Sequence, residues 1–393
     1  MKISSFLVGM LLCVLSGQIL AASPVVPGVV IDHIPKSTGI FIGSPSICLL
    51  PNGDYIVSHD EFGPHSSEWQ EAITDVFCSS DKGKTWNRIS RIEGQFWSNL
   101  FYHDGALYIM GTNKHHGNLI IRRSTDGGRT WTIPYDADHG LLLEGEYHTA
   151  PVPMVISHGR LWRAVEYATG KSNAWGVRYS AMMVSAPVHS DLLHAANWRA
   201  TNHLPFQKDY LKGYFGGWLE GNAVRNTNGG IVDILRVHAP QLQDEYCAMV
   251  RINKDGRHAV FLPDHFFKMP GASKKFTIRY DPASHLYWSI VNDVPEKIPG
   301  VSTDRIRNTL ALVSSEDLKN WKVNRILLHH PDLLTHAFQY VDWQFDDRDI
   351  IYVSRTAYDD EEGGASSYHD SNFLTFHSKM FLLRTAYKSA IQV

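Results

Sequence analysis

An octapeptide that occurs three times limits what this chain can fold into. Ser79-Ser80-Asp81-Lys82-Gly83-Lys84-Thr85-Trp86 recurs as Ser124-Thr125-Asp126-Gly127-Gly128-Arg129-Thr130-Trp131, and both fit S-x-D-x-G-x-T-W. A decayed copy, residues 314–321, keeps Ser314, the acid Glu316 and Trp321 at the same offsets. An aspartate at such a place accepts the backbone N–H groups of a tight turn, glycine supplies a positive φ, and the threonine and tryptophan open the next strand. Each copy therefore fastens a hairpin. Alternating stretches at 74–78, 118–122 and 309–313 precede the copies, so each joins the third and fourth strands of a four-stranded unit.

That unit repeats six times. Inner strands are expected at 44–50, 97–103, 150–157, 219–226, 275–281 and 337–345, each followed by a turn such as Pro51-Asn52-Gly53 or Ser157-His158-Gly159 and an apolar second strand. Sheets repeated at such a period close into a propeller. The expectation is an all-β, six-bladed β-propeller, with residues 28–34 supplying the last blade's fourth strand. Seven blades stay open, because the strand-like pieces within 198–217 have no assigned place. The 11% aromatic and 44% hydrophobic content fits short strands around a large core. No Pro-, Ser- or charge-rich linker interrupts residues 23–393, which read as one domain.

The apolar stretch 6–20, closed by Ala21, Ala22 and Ser23, reads as a secretory signal peptide over 1–22. It is shorter than the ~20 residues a membrane span needs. A secreted or periplasmic protein without a membrane span is expected. With 37 Lys and Arg against 40 Asp and Glu, the chain lacks the basic excess of a sequence-blind nucleic-acid binder. Cys48, Cys78 and Cys247 form no C-x-x-C or Cys/His cluster, so neither a zinc site nor a disulfide scaffold is indicated. At most one bridge, Cys48 to Cys78, could form; three buried thiols are the alternative. No cofactor and no metal is assigned; calcium in the acidic and histidine-rich loops at 359–362 and 368–377 is weighed against a solvated charge run. The oligomeric state is not legible.

The repeated turn resembles the Asp-box of sialidases, and the chain looks like a divergent member of the sialidase superfamily over essentially its whole mature length. Such a turn lies on the outer rim of each blade, so function must come from the axis. Sialidases clamp the sugar carboxylate with three arginines; here Gly43, in Gly43-Ser44-Pro45-Ser46, stands where the first would be. The resemblance thus implies an incomplete clamp. It is closer at Glu220-Gly221-Asn222-Ala223-Val224-Arg225, followed by Arg236, and at the strand carrying Tyr340. By resemblance Glu220 activates the nucleophilic Tyr340 and Arg236 holds carboxylate. An unassisted phenol has a pKa near 10, so Tyr340 needs such a base.

Sialidases also place an acid/base aspartate after the second strand of the first blade. Asp60 or Glu61 answers to it, but His59 leaves the strand first and titrates nearest neutrality, so His59 is preferred as general acid or base. Arg279, with Arg355 behind it, is expected to bind carboxylate, since arginine does so bidentately. His148, Trp97 and Asn99, together with Lys114 and His115, are expected to line the axial cup. These residues suggest an exported exo-acting glycoside hydrolase acting on a terminal, acidic sugar of a glycan. The alternatives are a polysaccharide lyase that cuts beside a uronic acid, using His59 or His148 with Tyr340, and a non-catalytic glycan-binding propeller.

Overall fold

In the computed structural model, which describes residues 25–380 except 65, 71 and 171, the strands pair antiparallel into six separate sheets. The expected signal segment lies outside the described residues. Blade 1 has a split inner strand, Phe41–Ile42 and Ser46–Leu49, on Tyr55–Phe62, then Ile73–Ser79 and Asn87–Glu93. Blade 2 runs Phe96–His103, Ala106–Thr112, Leu119–Ser124 and Leu141–Leu143. Blade 3 is split like blade 1, with Tyr147–His148 and Val155–Ser157 on Arg160–Tyr167, followed by Ser180–Pro187 and Arg199–Ala200. Blade 4 comprises Gly217–Arg225, Ile231–His238 and Tyr246–Ile252, edged by Ala259–Val260 and Phe266–Lys268. Blade 5 comprises Thr277–Asp281, Leu286–Asn292, Thr309–Ser315 and Trp321–His329. In blade 6, Ala337–Asp346, Asp349–Ala357 and Phe373–Met380 are completed by Val29–His33, so the first described strand closes the ring on the last.

The six-bladed expectation holds. Residues 198–217 form no seventh blade: Arg199–Ala200 edges blade 3, and Phe206, Tyr210 and Phe215 pack into the core between blades 3 and 4. Apolar side chains gather into one core at each of the six blade-to-blade interfaces. Strands buried on both faces read as continuous apolar runs. Cys48, Cys78 and Cys247 are free and buried within these cores.

The repeated turns fold alike. Asp81 and Asp126 each accept two backbone N–H groups and a threonine hydroxyl, and Ser79 and Ser124 each donate to the same aspartate. Each tryptophan indole N–H donates to a carbonyl three residues earlier, that of Gly83, Gly128 or Leu318. Trp86, Trp131 and Trp321 all pack on the core shared with the preceding blade. The third copy corrects the sequence alignment. Its turn is built on Ser315 and Asp317, not Ser314 and Glu316, and is one residue shorter between acid and tryptophan; Asn320 replaces the threonine.

The inner strands of blades 2, 4 and 6 share a feature that builds the axis. Each breaks register at one place, between Phe96 and Asn99, Leu219 and Asn222, and Gln339 and Asp342. The residue after each first position is left-handed: Trp97 (φ 48°), Glu220 (φ 47°) and Tyr340 (φ 54°). Such a φ is costly for a side-chain-bearing residue and persists only where its surroundings hold it. The preceding blade does so each time: Asp60 accepts the Trp97 N–H at 2.9 Å, Glu166 accepts the Gly221 N–H at 3.0 Å, and Asn292 donates to the Phe338 carbonyl at 2.6 Å. Two residues past Glu220 and Tyr340, Asn222 and Asp342 in turn accept the N–H groups of Ile278 and Ile47 in the following blade. The ring is thus stitched in two-blade units.

Candidate active site

Two of the three bulges bring reactive side chains together. The Tyr340 hydroxyl donates to Glu220 Oε1 at 2.8 Å, and Arg236 Nη1 donates to Glu220 Oε2 at 2.8 Å, although Glu220 and Tyr340 are 120 residues apart. Arg236 faces Leu219 across the ladder, where the register breaks, so the bulge turns Glu220 toward the guanidinium. Gly221 permits the turn: a Cβ there would lie 2.3 Å from Asp233 Oδ1. Burial raises the Glu220 pKa, but the guanidinium of Arg236, the nearby His148 and the two hydrogen bonds outweigh it, so Glu220 stays below the ordinary carboxylate value. Burial and the Glu220 charge push the Tyr340 phenol up, against the pull of Arg236, Arg307 and Arg355. A phenol held neutral and hydrogen-bonded to a carboxylate can act as a nucleophile with that carboxylate as its base.

Cations crowd this pair. The guanidiniums of Arg307 and Arg355 lie 5.8 and 5.2 Å from the Tyr340 ring centre. Arg355 occupies in blade 6 the place of Arg236 in blade 4, opposite the residue before the bulge. It is sealed under Phe62, 4.8 Å from that ring, with Nε and Nη1 unpaired, and burial lowers its pKa to about 10. Arg307 donates through Nε to the Asp304 carbonyl and through Nη1 to Gln339, and Arg236 uses Nε on the Ser273 carbonyl. Lys275, wholly buried, bonds Thr277 and the Val341 carbonyl; burial brings its pKa down to about 8.

The opposite wall is aromatic. The His148 ring stacks on Tyr179 (4.5 Å between centres) and meets Trp97 and Trp175 edge-on at 4.6 and 5.1 Å. Its Nδ1 bonds Glu166 Oε2 at 2.8 Å, the carboxylate whose other oxygen holds Gly221. His115 and His116 pack on Trp97. Burial first, then neighbouring imidazoles, drives their pKa values down to about 4 and about 3.

Of the residues singled out by sequence, Glu220, Arg236 and Tyr340 are in mutual contact, with Arg355 against Tyr340 and with His148 and Trp97 on the facing wall. His59 and Arg279 are not part of this cluster. His59 is fully buried on the other face of its strand, with Nε2 on Asp32 Oδ2 at 2.9 Å and Nδ1 on the Asp60 carbonyl, and it ties blade 1 to the ring-closing strand. Arg279 is held by the Trp343 carbonyl and Asp342, on the inner strand of blade 5. Asp60 spends its carboxylate on Trp97 N and Thr74, and Glu61 pairs with Arg91. Asn99 follows the Trp97 bulge, its Oδ1 buried and unpaired. Sequence reading missed Arg307, Glu166 and Tyr179. Arg307 precedes its strand in an irregular segment, and Glu166 ends blade 3's second strand as Arg236 ends blade 4's, a register parallel that sequence alone can suggest.

The same fold recurs in solved structures. The α-L-arabinanase of Penicillium chrysogenum, complexed with arabinobiose, matches with a TM-score of 0.57 at 14% identity, over 92% of this chain and 99% of that one. The Hadza microbial sialidase Hz136 matches with a TM-score of 0.61 at 14% identity, over 91% of this chain and 69% of that one. The α-L-arabinofuranosidase Arb93A of Fusarium graminearum, in complex with an iminosugar inhibitor, matches at 0.59 and 10% identity, over 91% and 98%. No protein-family model matches the sequence, and comparison with curated proteins finds no match.

Proposed function

We propose that this chain is an exported, exo-acting glycoside hydrolase that removes a terminal acidic sugar from a glycan by way of a tyrosine-linked intermediate. The observation that carries the reading is the Tyr340 hydroxyl donating to Glu220 at 2.8 Å amid Arg236, Arg307 and Arg355. As Tyr340 Oη bonds to the anomeric carbon, Glu220 takes its proton and the leaving sugar departs; water then displaces the phenol, which recovers its proton from Glu220. A tyrosine nucleophile in place of a carboxylate is the known exception among glycosidases, that of sialidases. Arg236 and Arg307, each with part of its guanidinium facing the pair, suit a carboxylated sugar better than a neutral one. Gly43 offers no third guanidinium, since a Cβ there would lie 2.4 Å from the Asp60 carbonyl oxygen; Arg355 brings the third charge from a different blade. That shift suggests an acidic sugar seated differently from the one sialidases hold. The neighbours named above for arabinan- and sialic-acid-directed enzymes lend the propeller a carbohydrate context.

Digestion of a glycan library with mass and ultraviolet detection tests the reading. Release of a saturated acidic monosaccharide with uptake of one water supports it. An unsaturated, ultraviolet-absorbing product marks a lyase, and binding without turnover marks a glycan-binding propeller; either overturns it.

A further inference from the structure

Breaking a glycosidic bond requires a proton for the departing oxygen, and the acids of the first blade cannot give one. Asp60 has both oxygens engaged, by Trp97 N and Thr74, and Glu61 turns to Arg91. His116 has both ring nitrogens occupied, by Glu68 and by the Tyr179 hydroxyl. His148 is different. Its Nδ1 is fixed on Glu166 at 2.8 Å, while Nε2 has no partner among the described residues. The ring is tied to the neighbourhood of Glu220 through Glu166, whose other oxygen accepts the Gly221 N–H at 3.0 Å.

We infer that His148 is the general acid/base of this site, positioned by Glu166, and that Trp175 forms the platform for the leaving sugar. This rests on the hydrolase reading above. As the bond from the anomeric carbon to the glycosidic oxygen breaks, its electron pair stays on that oxygen, which takes the Nε2 proton of the His148 imidazolium. In the second half, neutral His148 accepts a proton from the attacking water, and the site returns to its starting protonation. Glu166 acts through His148: it fixes the ring by Nδ1–H and stabilises the imidazolium, while its other oxygen holds the Gly221 N–H beside Glu220. One carboxylate thus sets the proton donor and the nucleophile's base in register. The Trp175 ring, 42% exposed and perpendicular to His148 at 5.1 Å, offers a flat apolar surface beside the imidazole where a sugar ring can stack, while Trp97 is buried and backs the imidazole.

The experiment compares His148→Asn with the wild type on two leaving groups of the same acidic sugar, 4-nitrophenol and an unactivated sugar. A phenol that leaves as its anion needs no proton, and positioned proton transfer contributes about 10²–10⁴-fold. On the sugar–sugar bond kcat/KM should fall by about 100-fold or more, and on the nitrophenyl glycoside by less than about tenfold, with partial rescue by added azide. Equal losses on both substrates, or less than tenfold loss on both, overturn the inference. Glu166→Gln, which keeps an acceptor for Gly221, should lower kcat on the sugar–sugar bond with little change in KM; a loss confined to thermal stability contradicts its positioning role. The hydrolase reading fails separately, when the wild type releases neither nitrophenol nor sugar, and the inference then falls with it.

Discussion

Arg236 and Arg307 are held by structural contacts and, in the function proposed above, also bind substrate. Each spends part of its guanidinium on backbone carbonyls or buried side chains; Arg236 Nη1 reaches Glu220, and the Arg307 guanidinium lies 5.8 Å from the Tyr340 ring centre. A charge-assisted contact is worth about 1.5–3 kcal/mol, so Arg307→Ala should raise KM for an acidic sugar at least tenfold while kcat falls less. Steady-state kinetics on wild type and variant check this. Arg236→Ala also strips Glu220 of its counter-charge, so kcat should fall with it. Asp60 gives a pH signature. Burial raises its pKa from 3.8 to about 7, against the hydrogen bonds of Thr74 and Trp97. A carboxyl that holds its proton more tightly when folded contributes stability below its ordinary pKa and loses it as pH rises toward the folded value, at up to about 1.4 kcal/mol per unit. Thermal melts from pH 4 to 7 should therefore show Asp60→Asn gaining on the wild type as pH rises. That Glu220, Arg236 and Tyr340 meet was legible because motif and register travel together there. The place of His59 was not legible because one step along a strand flips a side chain to the other face, and the face His59 takes meets Asp32 of the ring-closing strand.

Among the elements, the bulges of blades 2, 4 and 6 place the chemistry. A strand pattern predicts the strand but not the residue at which its register breaks, and so the left-handed backbone at Trp97, Glu220 and Tyr340 was not legible. The turn motif was, because its serine, aspartate, glycine and tryptophan act locally; only the shortened third copy was misaligned. Gly221 tests the bulge. Its added Cβ would meet the buried Asp233 carboxylate at 2.3 Å, and packed interiors absorb such an overlap at a cost of about 1–3 kcal/mol. Gly221→Ala should lower the melting temperature and, by moving Glu220, reduce kcat more than it changes KM; calorimetry and kinetics together decide.

For the whole molecule, closure and function meet at the axis. The first described strand pairs with the last, and the His59–Asp32 contact at 2.9 Å fastens it to blade 1. The Asp32 side chain is 28% exposed, so losing the contact costs what one charge-assisted hydrogen bond is worth, about 1.5–3 kcal/mol. His59→Ala should thus destabilise the ring in urea melts while leaving kcat at permissive temperature near the wild-type value, the reverse of what a general acid would show. Six blades were legible because the repeat is in the chain; which side chains share the cup depends on contacts between residues far apart in sequence. The most direct test of the central claim is covalent trapping. An activated fluoro-sugar of the released acidic type should load the protein with one glycosyl mass, mapped by peptide sequencing to Tyr340 and absent from Tyr340→Phe. A label on a carboxylate such as Glu220 or Glu166, or full turnover by Tyr340→Phe, would contradict it.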